Sequence, residues 1–334
     1  MAIDIRPELQ DSLLRVTSRP CHHFAMGVFW TPLRHPPPVR LSVTVPFPTM
    51  AIASLGDLSA LPTEIVLAIC SAMDVTSLFR FRQVNRRARA IVSDMSQYRE
   101  IAIFAIETLH ALLFTRMGSH FNFTQFYDAF RAMECQVCGL FGHLLFLPNL
   151  QRCCWKCLRS ARTHQQLHVV ALADLAKFYP LSEDDLGRIL PVVHAAPGIY
   201  SEHREIVNEP KKLVSLSDAM RTLGKLGFDP QSFLQRDTNY YTTGCMATTA
   251  FPYHDRATGT IEHGTLCRGC DVALNNGSIG AEARLNRAYT TKQFLEHFQS
   301  CPEAQNIWRD SREGTIPFEN LNVAQTLRSI PWGW

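Results

Sequence analysis

The chain has 334 residues, 46% hydrophobic and 19% charged, and its 33 basic against 30 acidic side chains leave a formal net charge of +3. That composition excludes a chain disordered throughout, the length suits about two domains, and so small a charge does not by itself call for a polyanionic partner. The eleven cysteines are an odd number and cannot all pair as disulfides.

At the N-terminus, Asp4, Arg6 and Glu8 stand where a secretory leader would carry its apolar core. The most apolar stretch, residues 101–114, is broken by Glu107 and His110 and is too short to span a bilayer. An intracellular location, cytoplasmic or nuclear, with no membrane contact is therefore expected, and there clustered cysteines serve as metal ligands or thiols. Residues 1–53 hold eight of the nineteen prolines and read as a disordered Pro-rich arm whose run His35-Pro36-Pro37-Pro38 favours polyproline II. Met50, at its end, is a second candidate initiator.

Residues 55–100 read as three short helices. Pro62 suits the entry of the first, which sets Ile65, Val66, Ile69 and Met73 on one face. The second starts near Thr76 or Ser77 with Leu78 and Phe81 inward, and the third carries Val84, Ala88, Ile91, Val92 and Met95. So small a helical unit leaves apolar surface that a partner can cover. Helical spacing continues through Ile101, Phe104, Ala105, Thr108 and Leu112, and Thr124 is the expected cap of a helix to Met133. Further helices are expected over 167–178, over 182–190 with the cap pattern Ser182-x-x-Asp185, and over 216–226 ending at Gly227. Residues 239–266, opening Tyr240-Tyr241-Thr242-Thr243, favour strands with a hairpin at 256–259; 271–287 read as loop. Thr290 or Thr291 caps a helix to about Ser300, and Pro302 opens another.

Two constellations carry chemistry. The first is Cys135-x2-Cys138-x15-Cys154-x2-Cys157, in which each pair forms a knuckle that points two thiolates at one cation, with a spacer long enough for a hairpin. Cys153 competes with Cys154 for the third position. The second is Cys267-x2-Cys270-x26-His297-x3-Cys301, a knuckle plus a histidine and a cysteine four apart at a helix end; a solvent-facing His297 is the competing reading, and His254, His263 and Cys245 are alternative ligands. Each set would close a four-coordinate zinc site with no open position for water, hence two structural zincs and not a catalytic one. Cys21 and Cys70 lack such context.

No phosphate-binding loop, HExxH helix or nucleophile elbow occurs. The acidic run Glu183-Asp184-Asp185 starts a helix and is read as favouring its dipole. Arg80, Arg82, Arg86, Arg87 and Arg89 form a basic cluster with few interleaved aromatics, which argues for a solvated or partner-facing surface over nucleic acid.

The run Leu58-Ser59-Ala60-Leu61-Pro62-Thr63-Glu64-Ile65, followed by Leu78-Phe79-Arg80-Phe81-Arg82-Gln83-Val84, resembles the F-box. Met73 and Ala88 depart from the residues usual there, leucine and tryptophan. The resemblance implies a three-helix motif that docks on the Skp-type adaptor of a cullin ubiquitin ligase, with Leu58, Leu61, Pro62, Ile65, Ile69, Leu78 and Val84 building or presenting the docking face. Downstream, Cys135-Gln136-Val137-Cys138, Arg152-x-Cys154-Trp155-Lys156-Cys157 and Phe294-Leu295-Glu296-His297-Phe298-x-x-Cys301 resemble a group of fungal F-box proteins, which favours Cys154 over Cys153. The fold class that follows is α+β, mainly α: a three-helix F-box, then a mostly helical region with two zinc-braced hairpin or knuckle elements. The expected domains are the arm 1–53, the F-box 55–100, a zinc-braced region 101–310 that recruits an unknown protein substrate without catalysis of its own, and a tail 311–334. A zinc-braced nucleic-acid-binding regulator and a ligase-independent scaffold are the alternatives.

Overall fold

The computed structural model describes residues 6–21, 28, 42–45, 53–161, 165–201, 203–229, 233, 240–284 and 286–328. The run His35–Pro38 and Met50 lie outside them. Helices dominate, with short strands between, an α+β architecture that is mainly α. Two units divide the chain: a larger one of His23–Cys153 and Cys157–Ile261, and a smaller one of Met1–His22, Cys154–Lys156 and Glu262–Trp334.

In the larger unit the expected trio of helices is Thr63–Ala72, Val75–Val84 and Arg86–Asp94. The second begins one turn-residue earlier than Thr76, because Asp74 caps it by accepting from the Ser77 N–H at 2.9 Å. Asn85 caps the third by accepting from the Ala88 N–H at 2.9 Å, so Val84 ends the second helix instead of joining the third and is 68% exposed. Val66, Cys70, Val75, Leu78, Ala88, Ile91 and Val92 are buried. Burial of each larger apolar side chain stabilises by roughly 1.5–3 kcal/mol.

The spacing from Ile101 to Leu112 is not one helix. It breaks at Ala105, whose φ −129° and ψ 32° are non-helical, into Ser96–Phe104 and Ile106–Phe114. The helix Phe123–Arg131 is capped by Asn122 in a reciprocal pair with Gln125, not by Thr124, whose hydroxyl donates to the Ser71 carbonyl at 2.9 Å. The expected hairpin in the first cysteine spacer is present: Leu144–Phe146 pairs with Gln151–Cys153, and Thr248–Ala250 adds a third antiparallel strand.

A second sheet sets Lys211–Ser215 between Val169–Ala171 and Val193–Ala195, all antiparallel. Val169–Ala171 thus replaces the first half of the helix expected over 167–178, which is reduced to Leu172–Phe178. With Glu183–Ile189 and Leu216–Lys225 these elements enclose a core that includes Leu175, Tyr179, Leu186, Val214 and Leu223. Ser182 accepts from the Asp185 N–H at 3.1 Å, and Gly227 takes φ +84°, as the two end signals require. Tyr240–Met246 is a helix, not a strand; the hairpin Tyr253–Asp255 with Thr260–Glu262 follows it as expected.

In the smaller unit, residues 6–21 are not an arm. Gln10–Thr17 is a helix with Leu13 and Val16 fully buried, and Ser18–Pro20 pairs antiparallel with Thr265–Cys267. The expected loop over 271–287 instead begins within the helix Arg268–Asn275 and contains the helix Ala281–Arg284. Thr290 caps Thr291–Phe298 in a reciprocal pair with Gln293, and Pro302 opens Pro302–Asp310. The tail also folds, since Asn322–Arg328 is helical and Leu321 packs with Val16, Val272 and Ile307.

Candidate metal centres and docking face

All eight predicted ligands fall into two groups of four, and within each group the ligand atoms lie within 4.8 Å of one another. The first group is Cys135, Cys138, Cys154 and Cys157. Its leading knuckle is a turn closed by the Gly139 N–H donating to the Cys135 carbonyl at 2.8 Å, with Gly139 at φ +71° where a side chain would strain. Cys154 follows the strand Gln151–Cys153, and Cys157 lies in the short helix Trp155–Arg159. Cys153 is fully buried in that strand and outside the group. Cys138 is the exposed member; the other three are at most 4% exposed.

Arg152, two residues before Cys154 in the sequence, anchors this hairpin. Its side chain is 0% exposed, and its guanidinium donates to five carbonyls: Gly142 at 2.6 Å, Phe251 at 2.9 Å, Pro252 at 3.1 Å, Phe130 at 3.2 Å and Ala129 at 3.3 Å. It also lies 4.2 Å from the centre of the Phe251 ring. Burial lowers its pKa to about 9. A Cβ on Gly142 would come within 2.6 Å of the Arg152 Cγ and 3.0 Å of the Cys135 N, so glycine is what lets the arginine pass beside the first ligand.

The second group is Cys267, Cys270, His297 and Cys301. Cys267 ends a strand and caps Arg268–Asn275, Cys270 sits in the first turn of that helix, and His297 lies in the last turn of Thr291–Phe298. Cys301 is not on the His297 helix, as its spacing suggested, but caps the next one, Pro302–Asp310. Two sulfurs therefore stand at helix N-termini, where the dipole favours thiolate. The Cys267 and Cys301 sulfurs are 3.8 Å apart, and the Cys270 sulfur is 3.3 Å from His297 Nε2. A tetrahedral zinc with ordinary bond lengths has edges of about 3.8 Å between sulfurs and about 3.5 Å between sulfur and nitrogen, so the donors fit that ion. Cys245, His254 and His263 belong to neither group.

The three thiols compete for protons. Hydrogen bonds with Cys270 and Cys301, then burial, raise the Cys267 pKa, and contacts with Cys267 and Cys270 lower that of Cys301. A divalent cation relieves that competition by taking the place of the protons. The His297 ring stacks on Tyr289 with centres 4.6 Å apart, which fixes the direction of Nε2. Gly269, between the two cysteines of the knuckle, has no room for a side chain: a Cβ there would be 2.3 Å from the Ala304 N. Sequence reasoning missed this residue and also residues 6–21. The latter carried a readable signal, Leu9, Leu13, Leu14 and Val16 at helical spacing, masked by the surrounding prolines.

The predicted adaptor-contacting residues divide by exposure. Leu61, Ile65 and Ile69 are 39%, 48% and 37% exposed; Leu61 lies in extended backbone just before the first helix, and Ile65 and Ile69, four apart, share a side of it next to the side that buries Val66 and Cys70. Pro62 is exposed and Leu58 is half-buried, whereas Leu78 is 1% exposed and builds the packing beneath. In the basic cluster Arg82 is turned inward, donating to Ser93 Oγ at 3.2 Å and to the Ser42 carbonyl at 3.0 Å. Among the described residues no helix is long and apolar enough to cross a membrane. No curated protein and no solved structure matches the chain. Residues 58–103 match the family model of the F-box-like domain, and Leu61, Ile65 and Ile69 lie within that domain.

Proposed function

We propose that this chain is a non-catalytic, substrate-recruiting subunit of a Skp–cullin–F-box ubiquitin ligase. The observation that carries the reading is the coincidence of the F-box-like match with three exposed apolar side chains, Leu61, Ile65 and Ile69. Residues 57–100 dock on the Skp-type adaptor, with Leu58, Leu61, Pro62, Ile65, Ile69 and Val84 in contact and Leu78 supporting them from below. Covering those side chains supplies a hydrophobic driving force of roughly 25 cal/mol per Å² of apolar surface removed from water. The region beyond, braced by two structural zincs, holds a protein target while other subunits transfer ubiquitin.

Co-purification with a Skp-type adaptor tests the docking. The double change Leu61→Asp with Pro62→Ala abolishes it while the fold persists, because both side chains are exposed. Full binding by that variant would sink the assignment. Metal analysis of the whole chain gives two zincs, and Cys157→Ser gives one.

A further inference from the structure

We propose that the N-terminal segment is part of the second metal centre and that Arg19 is a positioning residue for it. This rests on the zinc reading of Cys267, Cys270, His297 and Cys301. Three independent contacts carry it. Ser18 is the register partner of Cys267, so the backbone of the first ligand is held by a strand from the other end of the chain. The ladder continues with the Cys21 N–H donating to the Gly264 carbonyl at 2.9 Å. Leu13, 0% exposed, packs in the same core as Cys267, Cys270 and Cys301.

The third contact is electrostatic. Asp271 directly follows Cys270, is only 8% exposed, and receives a two-pronged hydrogen bond from Arg19, Nε to Oδ2 at 3.0 Å and Nη2 to Oδ1 at 3.3 Å. A Zn²⁺ with three thiolates and a neutral imidazole has a net charge of 2 − 3 = −1. Asp271 places a second negative charge in the same helix turn. Arg268, the other cation acting on Asp271, is drawn toward Glu319 at 3.9 Å and lies 3.8 Å from the Phe318 ring centre. Arg19 is thus the group that makes the buried carboxylate compatible with an anionic centre beside it. Outer partners of this kind are worth 10–100-fold in metal affinity.

The test is cobalt(II) titration of the full chain, read from the thiolate charge-transfer and ligand-field bands, which separate a four-sulfur site from a three-sulfur, one-nitrogen site. The wild-type chain takes two cobalt ions. Arg19→Ala weakens only the mixed-ligand site, by 10–100-fold, and Arg19→Lys restores most of the affinity. In an Asp271→Asn background, Arg19→Ala has no further effect, since the charge it balances is gone. Far-UV circular dichroism and adaptor co-purification stay at wild-type levels in each variant. Wild-type mixed-site affinity in Arg19→Ala, or an equal loss in both backgrounds, overturns the proposal while leaving the zinc reading intact. A wild-type chain that takes one cobalt, at the four-sulfur site only, overturns the Cys3His reading and this proposal with it.

Discussion

Gly269→Ala sets two effects against each other. In an exposed helix interior, glycine to alanine gains about 1 kcal/mol, because alanine gives up less backbone entropy. Gly269 lies in the helix Arg268–Asn275, so propensity alone forecasts a more stable protein. The geometry forecasts the opposite. An added Cβ would stand 2.3 Å from the Ala304 N and 2.8 Å from both its Cα and its Cβ. Non-bonded carbon atoms settle at about 3.5–4.0 Å. The obstructing atoms are backbone and cannot swing aside as a side-chain tip would, so the helix Pro302–Asp310 must retreat by about 1 Å. Overpacking of that kind costs about 1–3 kcal/mol, which outweighs the propensity gain through most of its range. The retreat also carries Cys301, the cap of that helix, away from Cys267, now 3.8 Å distant. A tetrahedral edge cannot stretch to nearly 5 Å around one zinc. The expected outcome is a net loss of about 1 kcal/mol and early release of one zinc of two in a competition against graded chelators. Gly187→Ala is the control. Gly187 also lies within a helix, but its added Cβ would meet only the Leu172 and Val192 side chains at 4.0 Å, so there the propensity gain survives. If Gly269→Ala raised the melting temperature as Gly187→Ala does and kept both zincs, the packing argument for the second centre would be refuted.

Two further outcomes are expected. Arg152→Met retains the bulk but strands five buried carbonyls; at about 1–3 kcal/mol for an unsatisfied buried group, the loss in urea unfolding is at least about 3 kcal/mol, and a change under about 0.5 kcal/mol would show the carbonyls to be satisfied otherwise. Cys301→Ser removes one zinc and leaves adaptor co-purification intact, since the F-box-like match at 58–103 and the second centre belong to different units; loss of adaptor binding would contradict that separation.

What was legible in the sequence was local. Ser182, Thr290 and Gly227 announce helix ends because a cap needs only its own turn. The cysteine pairs announce the knuckles for the same reason. What was misread depends on distant partners. Val169–Ala171 is a strand because Lys211–Ser215 lies beside it, some forty residues on, and nothing within its own window says so. Tyr240–Met246 carries Tyr241, Thr242 and Thr243, residues that favour strands, yet it is a helix with its 242–246 stretch buried and Thr243 donating to the Val169 carbonyl at 3.2 Å. Thr124 looked like a cap because its type fits, but Asn122 closes the reciprocal pair with Gln125 two residues earlier. The first strand, Ser18–Pro20, was hidden most deeply, since its partner lies almost 250 residues away.

The two centres differ less in loop length than their spacers suggest. Closing 26 residues instead of 15 costs about (3/2)RT ln(26/15), or roughly 0.5 kcal/mol, against apparent binding free energies of about 10–16 kcal/mol for structural zinc. Spacer length is therefore a poor argument against metal at the second centre. The consequential difference is in what must be folded before the ligands converge. The first set is delivered by one knuckle, one hairpin and one short helix, all within residues 135–159. The second needs a strand end, two helix N-termini and a helix C-terminus, and it carries the register of Ser18 on Cys267 and the Arg19–Asp271 pair as well. A metal ion at the second candidate centre would thus be coupled to the ordering of both the N-terminal segment and the C-terminal helices, whereas at the first it would be coupled mainly to its own hairpin and to the carbonyls that Arg152 gathers around it.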